Sequence, residues 1–476
     1  RSSRGCLAGA LRLSATLSLR LCGSGRSRDR TQGFLGSSGR MSQANRQQDS
    51  KKFERLSFKF GNFTARYAWV SQRGYYPEDL NKANQDAHGE HENFLKDYKT
   101  PVDDCHVFAV FDGHGQDNGT LAATLAAEAV RAHLVAHFGL LRTEPEAVCT
   151  AAFKRAHDAV LDGILKANSD LRVVDGVPVD TWEDEDGVQQ TEVADGGTTA
   201  TVIVLLDGAT LIQAQVGDSS ALLGGMGEDG EFQSEELMAE HAATNADEYT
   251  RVTAHPRGGE LMFVYDCPEL IDEGKPPHVF RRDARGGYEL DVKACRLAEV
   301  HGTLPKNARG DLPAIILTPE EPGFEQQSLA MTRSIGDFYM QRFGVTWQPE
   351  VITVDLAEVG ADLAHLTIVL CSDGVWDLWE YDAAFASLVE PPPRAARAPQ
   401  GTEVAAAFFG ECEVKGRDMF DNSADNMTGI VVYLGEAGRA SGRSAKSTGG
   451  LAPLGGSVAA SPKSEAAVSP NSFFSV

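Results

Sequence analysis

Long apolar runs are missing from this chain of 476 residues. No stretch approaches the ~18–20 consecutive apolar residues of a membrane-crossing helix, so no membrane span is expected. Closely spaced cysteines are missing too. The eight at 6, 22, 105, 149, 267, 295, 371 and 412 contain no pair with zinc-finger spacing. Cys105 and Cys371 border apolar runs and read as small core residues. No disulfide framework is expected, which points to a reducing compartment, cytoplasmic or nuclear; the sequons at Asn62, Asn118 and Asn426 then read as chance matches. Basic charge is the third shortage: 44 Lys and Arg face 68 Asp and Glu, for a net charge of −24. Phosphate backbones reward basic faces, so nucleic acid is not an expected partner. An acidic body fits a protein that concentrates cations, although acidity also serves plain solubility.

The charge is unevenly spread. Residues 1–40 hold eight arginines against one acid, Asp29. This basic leader, extended to residues 1–52, supports two readings: an organellar transit peptide, or a segment upstream of a start at Met41. Residues 436–476 are Ala, Ser, Gly and Pro with little apolar pattern, and a disordered tail is expected there. The folded body is placed at 53–435, long enough to bury a substantial core.

Within that body the patterning predicts strands at 106–111, 199–206, 209–216, 219–223, 350–355, 365–371 and 428–434. Helices are expected at 118–138, 144–167, 245–255, 374–389 and 402–411, with apolar steps such as Leu121, Leu125 and Ala129. Asp207-Gly208 between two apolar runs signals a hairpin with a type I′ turn. Hairpins with flanking helices suggest stacked sheets covered by helices, an α+β arrangement. Two stretches read as loop insertions: the acidic 168–196, whose 180–195 part is expected to be solvated, and the Gly/Pro/charge-rich 257–326.

Acidic turns at the ends of strand-like runs carry the chemistry. Phe111-Asp112-Gly113-His114-Gly115 follows the apolar run 107–110, and Ser372-Asp373-Gly374-Val375-Trp376-Asp377 follows 366–370. They are joined by Asn84-Gln85-Asp86, Val216-Gly217-Asp218-Ser219, Ile335-Gly336-Asp337 and Asp425-Asn426-Met427-Thr428. One Asp at a strand edge is ordinarily a turn former. Several brought together would repel and shift one another's pKa values. Bound cations remove that conflict, and Asp oxygens with backbone carbonyls and water are the ligand set of Mg2+ or Mn2+. Two such ions clamp a phosphate and acidify a water, which suits the very slow uncatalysed hydrolysis of phosphate monoesters.

The ordered series FDGHG (111–115), GTTAT (197–201), VGDSS (216–220), TRSIGD (332–337), SDGVWD (372–377) and DNMT (425–428) resembles the metal-dependent Ser/Thr phosphatases of the protein phosphatase 2C family. The segment Gln72-Arg73-Gly74-Tyr75-Tyr76-Pro77 looks most like the plant and protist branch. The resemblance implies a central β-sandwich of two antiparallel sheets with helices on each outer face. It also implies a catalytic domain over 53–435, phosphoprotein substrates, a monomer, and a centre of two Mg2+ or Mn2+ ions. Carried over by motif, Asp112 bridges both ions, the Gly113 carbonyl ligates one, Asp373 and Asp425 complete the other, and Asp86 belongs to the same set. Asp218 and Asp377 match positions linked to a weaker third metal in some members. His114 is the implied general acid, an imidazole able to give and recover a proton near neutrality. Arg73 is the candidate for gripping substrate phosphate through its forked donors.

One position departs from the common pattern. Gln85 stands where many members carry an acid that helps hold the second metal through water, and weaker second-metal binding is the expectation. A cysteine-phosphatase loop is excluded: the spacing recurs at Cys6…Arg12 and Cys149…Arg155, but the first lies in the basic leader and the second mid-helix without glycine. A catalytically weak, phosphatase-like binding module is the competing class. For 257–326, substrate selection and surface decoration both stand as readings.

Overall fold

A computed structural model describes residues 56–61, 63–76, 82–91, 105–183, 187, 189–321, 324–389, 402–420 and 423–435. The leader 1–52 and the tail 436–476 lie outside the described residues.

Eleven strands build two antiparallel sheets. In chain order they are β1 (Leu56–Phe60), β2 (Phe63–Gln72), β3 (Ala87–His91), β4 (Cys105–Phe111), β5 (Ala200–Leu206), β6 (Thr210–Val216), β7 (Ser220–Met226), β8 (Phe232–Glu236), β9 (Glu350–Asp355), β10 (Ala364–Cys371) and β11 (Met427–Leu434). One sheet runs β1-β2-β11-β10-β7-β8 and the other β9-β6-β5-β4-β3. Their facing sides close on a shared core of Tyr67, Phe108, Val110, Ile203, Leu205, Ile368, Leu370 and Ile430. Helices α1 (Gly119–His137) and α2 (Pro145–Ala167) cover the second sheet, burying Ala122, Ala126 and Val130 with Ala152, Phe153 and Ala156 against Ala109, Phe111 and Val202. Helices α3 (Tyr381–Leu388) and α4 (Thr402–Met419) cover the first, with Phe385, Leu388, Phe408 and Phe409 against Val70, Val369 and Val431. The result is a four-layer α+β sandwich. The central strands are apolar on both sides because both sides are covered.

The hairpin between β5 and β6 turns as its sequence requires. Asp207 and Gly208 both take positive φ, 55° and 75°, the geometry of a type I′ turn. Cys105 and Cys371 are fully buried. Cys149 is buried in α2, and that burial pushes its thiol up to about 12, far from a phosphatase nucleophile.

Four expectations change. The stretch 168–196 is a three-stranded meander, Arg172–Val174, Val177–Glu183 and Gln189–Val193, whose Val177 and Val179 are buried. The stretch 257–326 carries strands Met262–Tyr265 and Ala314–Leu317 and helix Val292–Val300, and it buries Phe263, Val279 and Ile316. The helix expected over 374–389 is broken into Asp373–Trp376 and α3. The carbonyls of Trp376 and Asp377 are taken by Arg309 and the Ala308 amide, so the first turn does not propagate. The apolar stripe of α1 is also shifted: Leu121 and Leu125 are only partly buried, at the rim of the core.

Candidate active site

Strand register gathers the acidic turns at one end of the sandwich. Ala87 pairs with Phe111, so the next step along both strands sets Asp86 opposite Asp112. Ser220 pairs with Cys371, which by the same register brings Asp218 opposite Asp373. Cys371 also pairs with Gly429, and the Ser372 amide bonds to the Thr428 carbonyl at 2.9 Å, so Asp373 lies beside the turn that carries Asp425. The two sheets are joined here by Ser372, whose hydroxyl donates to Asp86 Oδ2 at 3.2 Å.

The remaining motifs brace these turns. Asp112 exchanges two bonds with Thr199: its amide donates to the hydroxyl at 3.0 Å and its carbonyl accepts from the Thr199 amide at 2.9 Å. The Thr199 hydroxyl reaches the Ser219 hydroxyl at 2.8 Å, and Thr201 donates to the Ser219 carbonyl at 2.6 Å. GTTAT and VGDSS thus lock together the turns of Asp112 and Asp218. Asp195 caps the loop after His114, accepting from the amides of Gln116, Asp117 and Asn118.

His114 belongs to a small separate sheet. Gly113–His114 pairs with Gly197–Thr198, which pairs in turn with Ile335–Gly336. That places His114 Nε2 2.7 Å from Asp337 Oδ2, and the Ser334 hydroxyl donates to the same oxygen. Burial opposes protonation of His114, but the Asp337 carboxylate outweighs it and the imidazole pKa is raised. Sequence reasoning counted Asp337 among the acidic turns, within TRSIGD, but gave it no role beside His114. Its signal was Gly336-Asp337, both at positive φ.

Electrostatics at the centre are strained. Asp86 is pushed up to about 7, by burial first, with Asp425 and Asp373 adding to it against a hydrogen bond from Thr428. Asp112 is raised well above the carboxylate range by burial and then by Asp86, Asp373 and Asp425. Asp86 Oδ1 is buried without a hydrogen-bond partner. Among the described residues, no three acidic, His or Cys side chains are already closed into a metal cage. The donor set nevertheless fits hard cations: the carboxylates repel one another, and an orphaned oxygen points to a missing positive partner.

Arg73 is anchored on backbone carbonyls. Its Nε donates to the Lys82 carbonyl, one NH1 reaches the Gly74 carbonyl at 3.3 Å, and the guanidinium lies 5.6 Å from the Tyr76 ring centroid. It lines a pocket with Tyr75, Glu413 and Arg417. Neighbouring Gly74 donates to Asn426 Oδ1 at 3.0 Å, and Tyr76 donates its hydroxyl to Asp425 Oδ1. Tyr76 is a second contact that sequence reasoning missed. Gln85 does not extend the acidic set; its Nε2 donates to the Gly115 carbonyl at 2.5 Å and ties its strand to the loop of His114.

Asp218 and Asp377 meet a cation from the insertion. Lys306 Nζ lies 3.4 Å from Asp218 Oδ2, 3.4 Å from Asp373 Oδ2 and 3.8 Å from Asp377 Oδ2.

Comparison with known proteins agrees with this arrangement. The family model described as Protein phosphatase 2C matches residues 78–263 and 320–389, more than half of the chain. Probable protein phosphatase 2C 35 of Arabidopsis thaliana is 27% identical over 387 residues, covering 81% of this chain and 88% of that protein. Probable protein phosphatase 2C 33 of Oryza sativa subsp. japonica is 28% identical over 280 residues, covering 58% of this chain and 45% of that protein. The crystal structure of a serine-threonine phosphatase 2C from Toxoplasma gondii shares the fold, with a TM-score of 0.51 at 15% sequence identity over 81% of this chain and all of that one. With six ordered motifs gathered at one end of the sandwich and more than half of its length matched, the chain belongs to the protein phosphatase 2C family of serine/threonine phosphatases.

Proposed function

We propose that the chain hydrolyses phosphoserine and phosphothreonine on proteins at a centre of two Mg2+ or Mn2+ ions. The observation that carries this reading is the convergence of Asp86, Asp112, Asp373 and Asp425, with Asp112 raised by burial and then by the other three, and Asp86 Oδ1 left without a partner. Asp112, the Gly113 carbonyl, Asp86, Asp373 and Asp425 would hold the ions. When bound, such ions supply Lewis acidity toward phosphoryl oxygens and lower the pKa of water.

The chain's own residues do the rest. His114, oriented by Asp337, donates the proton that the departing serine or threonine alkoxide needs. Ser372, Thr199 and Asp195 hold the acidic turns in place, so that little reorganisation accompanies the reaction. Arg73 and Arg417 line the pocket beside Asp425, Arg417 paired with Glu413 at 3.0 Å, and a substrate phosphate would meet Arg73 there.

Phosphate release from a phosphothreonine peptide tests the reading. Mn2+ or Mg2+ should stimulate release by the native chain and not by Asp112→Ala. A phosphatase-like binding module would instead capture phosphopeptide without metal and release no phosphate.

A further inference from the structure

We propose that the ammonium of Lys306 takes the position of a third cation, so that this chain binds two divalent ions and supplies the further positive charge from its own insertion. The inference rests on the two-ion reading above and adds to it a residue outside the family pattern: the family match stops at residue 263 and resumes at 320, leaving Lys306 in the gap.

Three carboxylates surround the ammonium within 3.4–3.8 Å, on Asp218, Asp373 and Asp377. Those of Asp218 and Asp377 are well buried, with side-chain exposures of 4% and 13%. The placement is built rather than incidental. The Lys306 amide donates to the Asp311 carbonyl at 2.7 Å, and the buried Asn307 closes the same turn by exchanging two bonds with Asp311, at 3.0 and 3.1 Å. The turn is pinned to the segment that carries Asp373 and Asp377. The Ala308 amide donates to the Asp377 carbonyl and Arg309 donates to the Trp376 carbonyl, each at 2.7 Å. Backbone on both sides of the lysine is therefore fixed relative to the carboxylates it meets.

A tethered ammonium has consequences that a free ion does not. Its occupancy is independent of metal concentration, and it leaves only when the 306–311 turn leaves. Movement of the insertion and the charge of the site are thus coupled.

Counting ions tests this. Chain dialysed to equilibrium against Mn2+ should retain two ions per molecule by mass spectrometric metal analysis. Lys306→Ala should retain a third, which Asp218→Asn added to Lys306→Ala should abolish and Lys306→Arg should not admit. Should Lys306→Ala fail to fold by circular dichroism, Lys306→Ser reads the same vacancy. Two ions on both the native chain and the lysine variants would overturn the inference while sparing the two-ion reading, and so would three on the native chain. No ion on any of them would overturn both.

Discussion

His114 lies 2.7 Å from Asp337 across a gap that only glycine leaves open at position 197. A Cβ added there would collide with both Asp337 Oδ2 and His114 Nε2. Gly197→Ala should therefore part the pair, and kcat on a phosphopeptide should fall by about 10²-fold, the usual cost of displacing a reacting group by an ångström. Its far-UV circular dichroism should stay native. His114→Ala should slow hydrolysis of a phosphothreonine peptide by at least about 10²-fold, the low end for a lost general acid. The loss should be much smaller on an aryl phosphate whose phenolate leaves without a proton; equal losses on the two substrates would remove His114 from that role. At this scale the sequence exposed the carboxylates, because each sits in a turn motif beside an apolar run. Asp195, Tyr76 and Lys306 were not legible. Each acts through a partner more than 60 residues away, on Gln116, Asp425 and Asp218, and no local pattern announces such contacts.

The helix Ala246–Thr253 shows how an element away from the acidic turns fixes the motif that carries Asp337. Its Glu248 carboxylate is almost fully buried and accepts from Arg251, Arg333 and the Thr332 hydroxyl, joining the helix to the start of TRSIGD. Burial alone would raise the Glu248 pKa, but the hydrogen bonds from Arg333 and Arg251 dominate and hold it well below the usual carboxylate range. A depressed folded-state pKa contributes stability above the unfolded value and loses it as pH falls toward the folded one. The native chain should accordingly lose Tm steadily below about pH 4.5 through this group. Glu248→Gln should be less stable at neutral pH by about 1–3 kcal/mol, because it takes the carboxylate partner from two half-buried arginines that keep only backbone carbonyls. Its Tm should also fall less steeply with acid than that of the native chain; parallel Tm–pH curves would show that Glu248 is not the titrating group. Among the strands, β4, β5 and β10 were legible because their apolar runs are continuous. β3 (Ala-His-Gly-Glu-His) and β8 (Phe-Gln-Ser-Glu-Glu) were not, since both owe their form to pairing with a neighbour rather than to their own pattern. β2 escaped notice for another reason. It packs Tyr67 and Trp69 toward one core and Ala68 and Val70 toward another, which erases the alternation of a half-exposed strand.

Across the whole molecule, the two sheets carry the acidic turns and the insertion completes their surroundings. Because 257–326 buries Phe263, Val279 and Ile316 in the same core as α1 and α2, it is part of the fold as well as a neighbour of the site. Replacing 259–325 by a short linker should lower Tm and reduce hydrolysis of aryl phosphate and phosphopeptide together. A stable variant that changed only its peptide preference would instead assign the segment to substrate selection alone. The layered architecture was legible from the hairpin signals and the helical periods, whereas the packing of the insertion was not, because its apolar residues are spaced among glycines, prolines and charges. The central claim is that Asp86, Asp112, Asp373 and Asp425 form a metal-dependent phosphate-ester hydrolase site. Its most direct test is the rate of phosphate release from a phosphothreonine peptide as Mn2+ is titrated into metal-free native chain and into Asp112→Ala. Saturable activation of the native chain and none of the variant is expected; equal release from both, or none from either, would contradict a metal-dependent site on these carboxylates.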